Sequence, residues 1–301
     1  MFRSSRPEFG VELKRFHGHL MVNGRAESTQ ISYTRAVRDL MEGTQKVPLD
    51  LTEKEIVAHL AGLREKHQLS PSSINSRICA LKYLYRDVHH RLDIIVGLPN
   101  PRRAKLVGDI LTSGEIKKLF EGTNSIKHLA ILHLLFDTGL RAREVSQLRL
   151  GDFDPKNGTL TVRFGKGKKD RIVPYGAQAR ETLLEYFRQA RPTDALFMGS
   201  TTGEMFTVRG VQYVVNQALK RSGLKKEVHP HTLRHSFAVH YLNNGGSLIR
   251  LQQLLGHAHI STTLVYLKYT SIPLREIATP LDFLTGKSRG EPLSGGGAAK
   301  P

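Results

Sequence analysis

Residues 231–266 read HTLRHSFAVHYLNNGGSLIRLQQLLGHAHISTTLVY, and this stretch does most to decide the fold and chemistry expected of the chain. A helix would place His231 and Arg234 one turn apart on the same face. His257 and Tyr266 follow within the same stretch. Arginine binds anions through a planar fork of donors, histidine transfers protons near neutral pH, and an activated tyrosine is a nucleophile. The stretch therefore combines three functions that one reaction centre needs.

Two upstream segments extend this set. Thr138-Gly139-Leu140-Arg141 ends on a second arginine, and Glu144 lies three residues later, where a helix would let it orient that guanidinium. Residues 159–174 (TLTVRFGKGKKDRIVP) alternate as a β-hairpin does and place Lys166 between two glycines at the tip. The set thus contains two arginines and a lysine, side chains that bind anions.

In order along the chain, Arg141, Lys166, His231-x-x-Arg234, His257 and Tyr266 resemble the tyrosine recombinase (phage integrase) family. The resemblance covers the second domain, and the helical first domain is similar to the core-binding domain of that family, with Ser28, Thr29 and Tyr33 in a similar opening helix. It implies a site-specific DNA recombinase that cleaves and rejoins strands through a 3′-phosphotyrosine. The phosphotyrosine keeps the bond energy for rejoining, so no cofactor is expected.

The resemblance also implies the role of each residue. Arg141 and Arg234 would bind the phosphate, and Lys166 would act as general acid. His231 and His257 would assist proton transfer, and Tyr266 would attack phosphorus. Tyr269 is the nearby competitor for the nucleophile. Many relatives have a histidine two residues after the nucleophile, where this chain has Lys268.

Double-stranded DNA is the expected partner. The resemblance implies that the two domains clamp opposite sides of a duplex and that a homotetramer forms on paired sites. The residues expected to contact the DNA backbone are Arg102, Arg103, Lys105, Lys168, Lys169 and Arg171. Residues 274–284 (LREIATPLDFL) are a candidate segment for docking onto a neighbour, and packing within its own subunit is an equal alternative.

Composition agrees with a polyanion partner. The 301 residues carry a formal charge of +18 and are 39% hydrophobic. Residues 1–99 contain 15 basic and 11 acidic residues, so most of the excess charge lies in the rest of the chain. Cys79 is the only cysteine, which excludes an intrachain disulfide. We find no apolar run long enough for a bilayer and no secretory signal, and we expect a cytoplasmic, nucleoid-associated protein without a membrane partner.

The patterns predict a mainly α fold with a small β-sheet or hairpin. We divide the chain into a helical core-binding domain (1–94), a basic linker (95–108), a mixed α+β catalytic domain (109–285) and a flexible tail (286–301). Helix starts are predicted at Thr52, Ser70 and Thr112, where cap residues precede apolar positions at helical spacing. The helix after Thr112 is expected to run as far as Gly139.

Three alternatives belong to other classes. A type IB topoisomerase uses a similar residue set to relax supercoils, and a relative that has lost catalysis would only bind DNA. His229, His231 and His235 cluster, and the last two have the four-residue separation of a helical zinc site. Arg234 between them argues against a metal, because its charge would repel a cation. We expect none.

Overall fold

The chain forms two compact units, Met1–Ala104 and Lys105–Pro301, in a computed structural model that describes residues 6–99, 109–163, 170–199 and 204–270. As predicted, the architecture is mainly helical with a small antiparallel sheet. None of the helices in those ranges is long and apolar enough to cross a membrane.

Helices alone build the described part of the first unit. They are α1 (Pro7–Val22), α2 (Glu27–Thr44), α3 (Glu53–His67), α4 (Pro71–Tyr83) and α5 (Leu92–Gly97). Thr52 and Glu55 cap α3 reciprocally, with the Thr52 N–H donating to the Glu55 carboxylate at 2.9 Å. The Ser70 hydroxyl accepts the N–H of Ser73 at 3.2 Å and begins α4. The helix starts predicted at Thr52 and Ser70 are therefore confirmed.

The packed core of the first unit extends past residue 95, where we predicted that the linker begins. Helix α5 continues to Gly97, and Ile94 and Leu98 are both buried in the core of the unit. This apolar pair, one residue on the helix and one directly after it, holds the segment against the core. The packed part of the unit therefore reaches Leu98.

The second unit combines helices with a small sheet. Its helices are α6 (Ser113–Glu121), α7 (Ile126–Asp137), α8 (Ala142–Ser146), α9 (Ala177–Ala190), α10 (Val208–Ser222), α11 (Pro230–Asn243) and α12 (Leu248–Leu255). The capping box at Thr112 is confirmed. The single helix expected up to Gly139 is wrong, because α6 closes at Gly122 and the Ser125 hydroxyl starts α7 by accepting the N–H of His128.

The sheet pairs β1 (Phe153–Asp154), β2 (Thr159–Val162) and β3 (Arg171–Pro174) in antiparallel order, which confirms the hairpin. Leu160 pairs with Val173, and both are buried on the inner face. Side chains two apart on a strand share a face, so Arg171 points inward with Val173 while Ile172 is 66% exposed. The hairpin tip, residues 164–169, lies outside the described residues.

Candidate active site

Arg234 lies at the centre of the site, buried on α11. Its Nη1 donates to the carbonyl oxygen of Gly139 and its Nη2 to that of Leu255, each at 2.7 Å. Nη2 also lies 3.1 Å from Nε2 of His257. Burial and the positive charge of Arg141 lower the pKa of Arg234 to about 10, so it remains charged at neutral pH. The guanidinium is a fixed positive charge with several donors already engaged.

Two glycine turns present those carbonyls to Arg234. Gly139 has φ +62°, and a Cβ there would overlap the ring of Phe237. Gly256 has φ +63° and ends α12 directly after Leu255. Glycine adopts this left-handed conformation without steric cost, and its carbonyl or that of its neighbour is then free of the helix. The glycines therefore shape the socket of Arg234.

Arg141 precedes α8 as its cap residue, with extended backbone angles. The Glu144 carboxylate accepts hydrogen bonds from the backbone N–H of Arg141 at 2.8 Å and from Nη1 of Arg141 at 3.0 Å. The pair meets as predicted, although the expectation that both lie on one helical face is wrong because Arg141 lies outside the helix. The Arg141 side chain is 36% exposed, so part of its guanidinium is open to an incoming phosphate.

Arg171 does not have the position of a DNA-backbone contact, and that part of our prediction is corrected. Its Nη1 and Nη2 donate to the two oxygens of Glu144 at 3.0 and 2.9 Å, and its Nε donates to the carbonyl of Leu254. Only 9% of the side chain is exposed. Burial favours the neutral form of Glu144, but the bonds from Arg171 outweigh it and lower the pKa of that carboxyl. Arg171 thus links β3 to Glu144 and, through that carboxylate, to Arg141.

Replacing Arg171 by alanine should therefore lower stability rather than DNA affinity. Breaking a partly buried ion pair on one side costs about 3 kcal/mol, because Glu144 keeps its charge with fewer partners. Urea unfolding of the full chain measures this loss. A backbone contact would instead reduce the salt slope of DNA binding by about one ion, and that result would restore the original assignment. Arg188→Ala, at an arginine whose side chain is 74% exposed on α9, is the matched control.

Both ring nitrogens of His257 are engaged. Nε2 faces Arg234, and Nδ1 lies 2.8 Å from Oγ1 of Thr263, a fully buried residue. Burial, reinforced by the charges of Arg234 and Arg141, lowers the pKa of His257 to about 4, so the ring is neutral at physiological pH. His257 is thus held in one orientation beside the guanidinium.

Tyr266 is 2% exposed and lies on a short 3₁₀ helix, Leu264–Tyr269. Ser261 belongs to a separate 3₁₀ turn, Ile260–Thr262, that precedes the helix of Tyr266. The Tyr266 ring stacks on that of His257 at a centroid distance of 6.5 Å, and Arg234 lies close enough to act on its hydroxyl.

A tyrosine needs neighbouring cations or a base to become a nucleophile, and the surroundings of Tyr266 keep its hydroxyl protonated. Burial raises the pKa of the phenol more than Arg234 and Arg141 lower it. Buried surroundings disfavour the phenolate because they solvate its charge poorly. Tyr266 is therefore neutral in the DNA-free protein.

The histidines of α11 occupy different environments. His231 is exposed, and its pKa is lowered by the desolvation of its ring and by the charges of Arg234 and Arg141. His235 packs beneath it, with ring centroids 6.2 Å apart, and its Nδ1 lies 2.9 Å from the hydroxyl of Tyr266. Within the described residues, no group of three His, Cys, Asp or Glu side chains is arranged to hold a metal.

His235 is the site residue that sequence reasoning assigned only to a metal hypothesis. Its contact with Tyr266 spans 31 residues, so no local pattern predicts it. One signal was present: His235 lies one helical turn after His231 and therefore shares its face.

Several predicted residues lie outside the described part of the chain. They are Lys166, Lys168, Lys169, Arg102, Arg103 and Lys105, together with the docking segment 274–284. Lys268 is exposed at the end of the 3₁₀ helix, and Tyr269 is only partly buried beside the core that encloses Tyr266. The described residues thus bring together Arg141, Glu144, Arg171, His231, Arg234, His235, His257 and Tyr266.

Family models cover both units. The phage integrase family model matches residues 109–271, and the model of the phage integrase N-terminal SAM-like domain matches residues 13–92. The chain belongs to the phage integrase family. It is a site-specific tyrosine recombinase, an enzyme that breaks and rejoins DNA strands through a tyrosine intermediate.

Similarities to individual proteins support the assignment of the chain to this family. Tyrosine recombinase XerC of Oceanobacillus iheyensis is 36% identical over 245 residues, covering 75% of this chain and 79% of the relative. Tyrosine recombinase XerD of Listeria innocua is 32% identical over 264 residues, covering 82% and 86%. A lambda integrase tetramer bound to a Holliday junction has the same fold, with a TM-score of 0.69 at 22% identity over 83% of this chain and 77% of the integrase chain.

Proposed function

We propose that Tyr266 is the nucleophile of this recombinase and that Arg141, Arg234, His231 and His257 surround the scissile phosphate. The observation that carries the proposal is the stacking of the Tyr266 ring on His257, whose Nε2 lies 3.1 Å from the buried guanidinium of Arg234 in the same subunit. A preorganised cation next to the attacking oxygen stabilises charge that develops only in the transition state.

In the proposed reaction, the phenolic oxygen attacks phosphorus and the 5′ oxygen leaves. The exposed edge of Arg141 and the remaining donors of Arg234 would hold the non-bridging oxygens, and Glu144 and Arg171 would keep Arg141 in place. Lys166, which falls in the sequence between β2 and β3, is proposed to protonate the leaving oxygen. The 3′-phosphotyrosine that results reacts with a new 5′ hydroxyl to rejoin the strand.

The assembly is also a proposal. Exchange between two duplexes needs two pairs of active sites, and the tetramer of the lambda integrase on its junction supports a homotetramer here. The chromosome is the proposed location of the substrate, which places the enzyme on the nucleoid in the cytoplasm. We propose that residues 274–284 dock onto a subunit, either their own or a neighbour.

Covalent trapping tests the nucleophile. The full chain is incubated with DNA that flanks its gene, boiled in detergent and digested with trypsin. Cleavage after Arg250 and Lys268 yields residues 251–268, in which Tyr266 is the single tyrosine, while Tyr269 falls in the next peptide. We expect nucleotide mass on the first peptide and a free 5′ hydroxyl on the released strand. Mass on the second peptide would contradict the proposal, and the position of the break defines the target site.

A further inference from the structure

The proton on the Tyr266 hydroxyl needs an acceptor. The phenol is neutral and 2% exposed, so bulk water does not reach it freely. Arg234 has only N–H donors and remains protonated, so it stabilises the phenolate without taking the proton. The acceptor must therefore be a group in contact with the hydroxyl that has a free lone pair.

The hydrogen bonds of His257 exclude it as that acceptor. Because Arg234 can only donate, Nε2 of His257 must accept, at 3.1 Å. The ring proton of neutral His257 is then on Nδ1, which donates to Oγ1 of Thr263 at 2.8 Å. Both nitrogens are thus committed, and a second proton would create an imidazolium against the guanidinium.

His235 is placed differently. Its Nδ1 lies 2.9 Å from the Tyr266 hydroxyl, and the two ring centroids are 5.6 Å apart. The charged and titratable groups that face His235 are His231 and Arg234 on α11, His229 directly before it, His257 after α12, and Tyr266. Burial and these neighbours lower its pKa to about 4, so the ring is neutral and available at physiological pH.

We propose that His235 accepts the proton of Tyr266 as the phenolic oxygen attacks phosphorus, an inference that rests on the proposed nucleophile. The bond from oxygen to phosphorus forms, the phenolic proton moves to Nδ1, and the bond from phosphorus to the 5′ oxygen breaks with its electron pair. That oxygen takes a proton from a separate acid. In rejoining, the incoming 5′ hydroxyl attacks phosphorus, and His235 returns its proton to the departing phenol.

A weak base is sufficient for this step. As the phenolic oxygen bonds to phosphorus it loses electron density, so its proton becomes far more acidic than that of free tyrosine. The negative phosphodiester, once bound beside the ring, also raises the pKa of His235 relative to the DNA-free protein. Both changes bring the donor and acceptor closer in proton affinity during attack.

The experiment measures single-turnover adduct formation by the full chain on the duplex that wild type is found to cleave. The variants are His235→Ala, His235→Asn and, as a matched control, His128→Asn, a histidine that packs against Tyr213. Asparagine places an amide near the position of Nδ1 and keeps a hydrogen bond but cannot take the proton. DNA affinity, measured in parallel, reports folded protein.

We expect both His235 variants to be slower at pH 7 by on the order of 100-fold or more, the range of general-base catalysis. Their rates should rise about tenfold per pH unit toward pH 9 as the phenolate forms without help, while the rates of wild type and of the control stay flat. A sulfur at the 5′ bridging position, which leaves without a proton, should rescue Lys166→Ala but not His235→Ala.

Two results would overturn the proposal: a near-normal rate for His235→Asn at pH 7, or a deficit in both variants that does not change with pH. Either would reduce His235 to a structural support of the tyrosine. Failure of the nucleophile assignment looks different, because wild type would then carry no nucleotide on residues 251–268.

Discussion

Tyr266→Phe is expected to bind the target duplex with unchanged affinity and to form no covalent adduct. The variant loses a single oxygen, and with it the nucleophile, so cleavage should fall below detection rather than by a finite factor. Folding should be only slightly weakened, by about 1 kcal/mol, because the variant gives up one hydrogen bond to His235. Gel separation after boiling in detergent measures the adduct, and fluorescence anisotropy measures binding.

Tyr269→Phe is the natural control for that experiment, since the residue lies on the same 3₁₀ helix and only partly in the core. It should cleave at the wild-type rate. Persistent adduct in Tyr266→Phe, or its loss in Tyr269→Phe, would move the nucleophile to the second tyrosine.

Arg234→Lys is expected to cause the second large loss, although the charge is retained. One ammonium group cannot reach the carbonyls of Gly139 and Leu255 together with Nε2 of His257, because their present bonds come from two separate guanidinium nitrogens. Losing one aligned donor to a transition-state oxyanion costs about 100-fold to 1000-fold in rate. A carbonyl left without a donor also costs about 1–3 kcal/mol of stability.

Single-turnover cleavage and urea unfolding measure these two effects separately. Arg188→Lys, on the exposed face of α9, should change neither quantity. If Arg234→Lys cleaves within about tenfold of wild type, positive charge alone is sufficient at this position and the directed donors are not needed.

Structural features that depend on residues close together in the sequence were predicted well. The capping boxes at Thr52 and Thr112 formed because each involves residues three apart, whose hydrogen bonds depend little on the rest of the chain. The β2–β3 hairpin was predicted for the same reason. The break between α6 and α7 was missed, since Gly122 and Ser125 are weaker signals than the apolar positions around them.

The site was predicted in its composition but not in its connections. Arg171 appeared as one more cation beside a lysine cluster, yet its place two residues before Val173 on β3 turns it toward Glu144. Period-two alternation predicts that Arg171 and Val173 share a face, but not that this face meets Glu144. The contact of His235 with Tyr266 depends on how α11 packs against the 3₁₀ helix, which no spacing in the sequence gives.

The burial of Tyr266 affects how the recombinase interacts with DNA outside its target site. A recombinase passes over vast stretches of unrelated duplex before it meets its own site, and each unwanted nick would threaten the genome. Because the Tyr266 hydroxyl is buried and protonated, the phosphate backbone of unrelated DNA does not contact a reactive oxygen. Burial of the proposed nucleophile would therefore limit cleavage at unrelated sites before any base sequence is read.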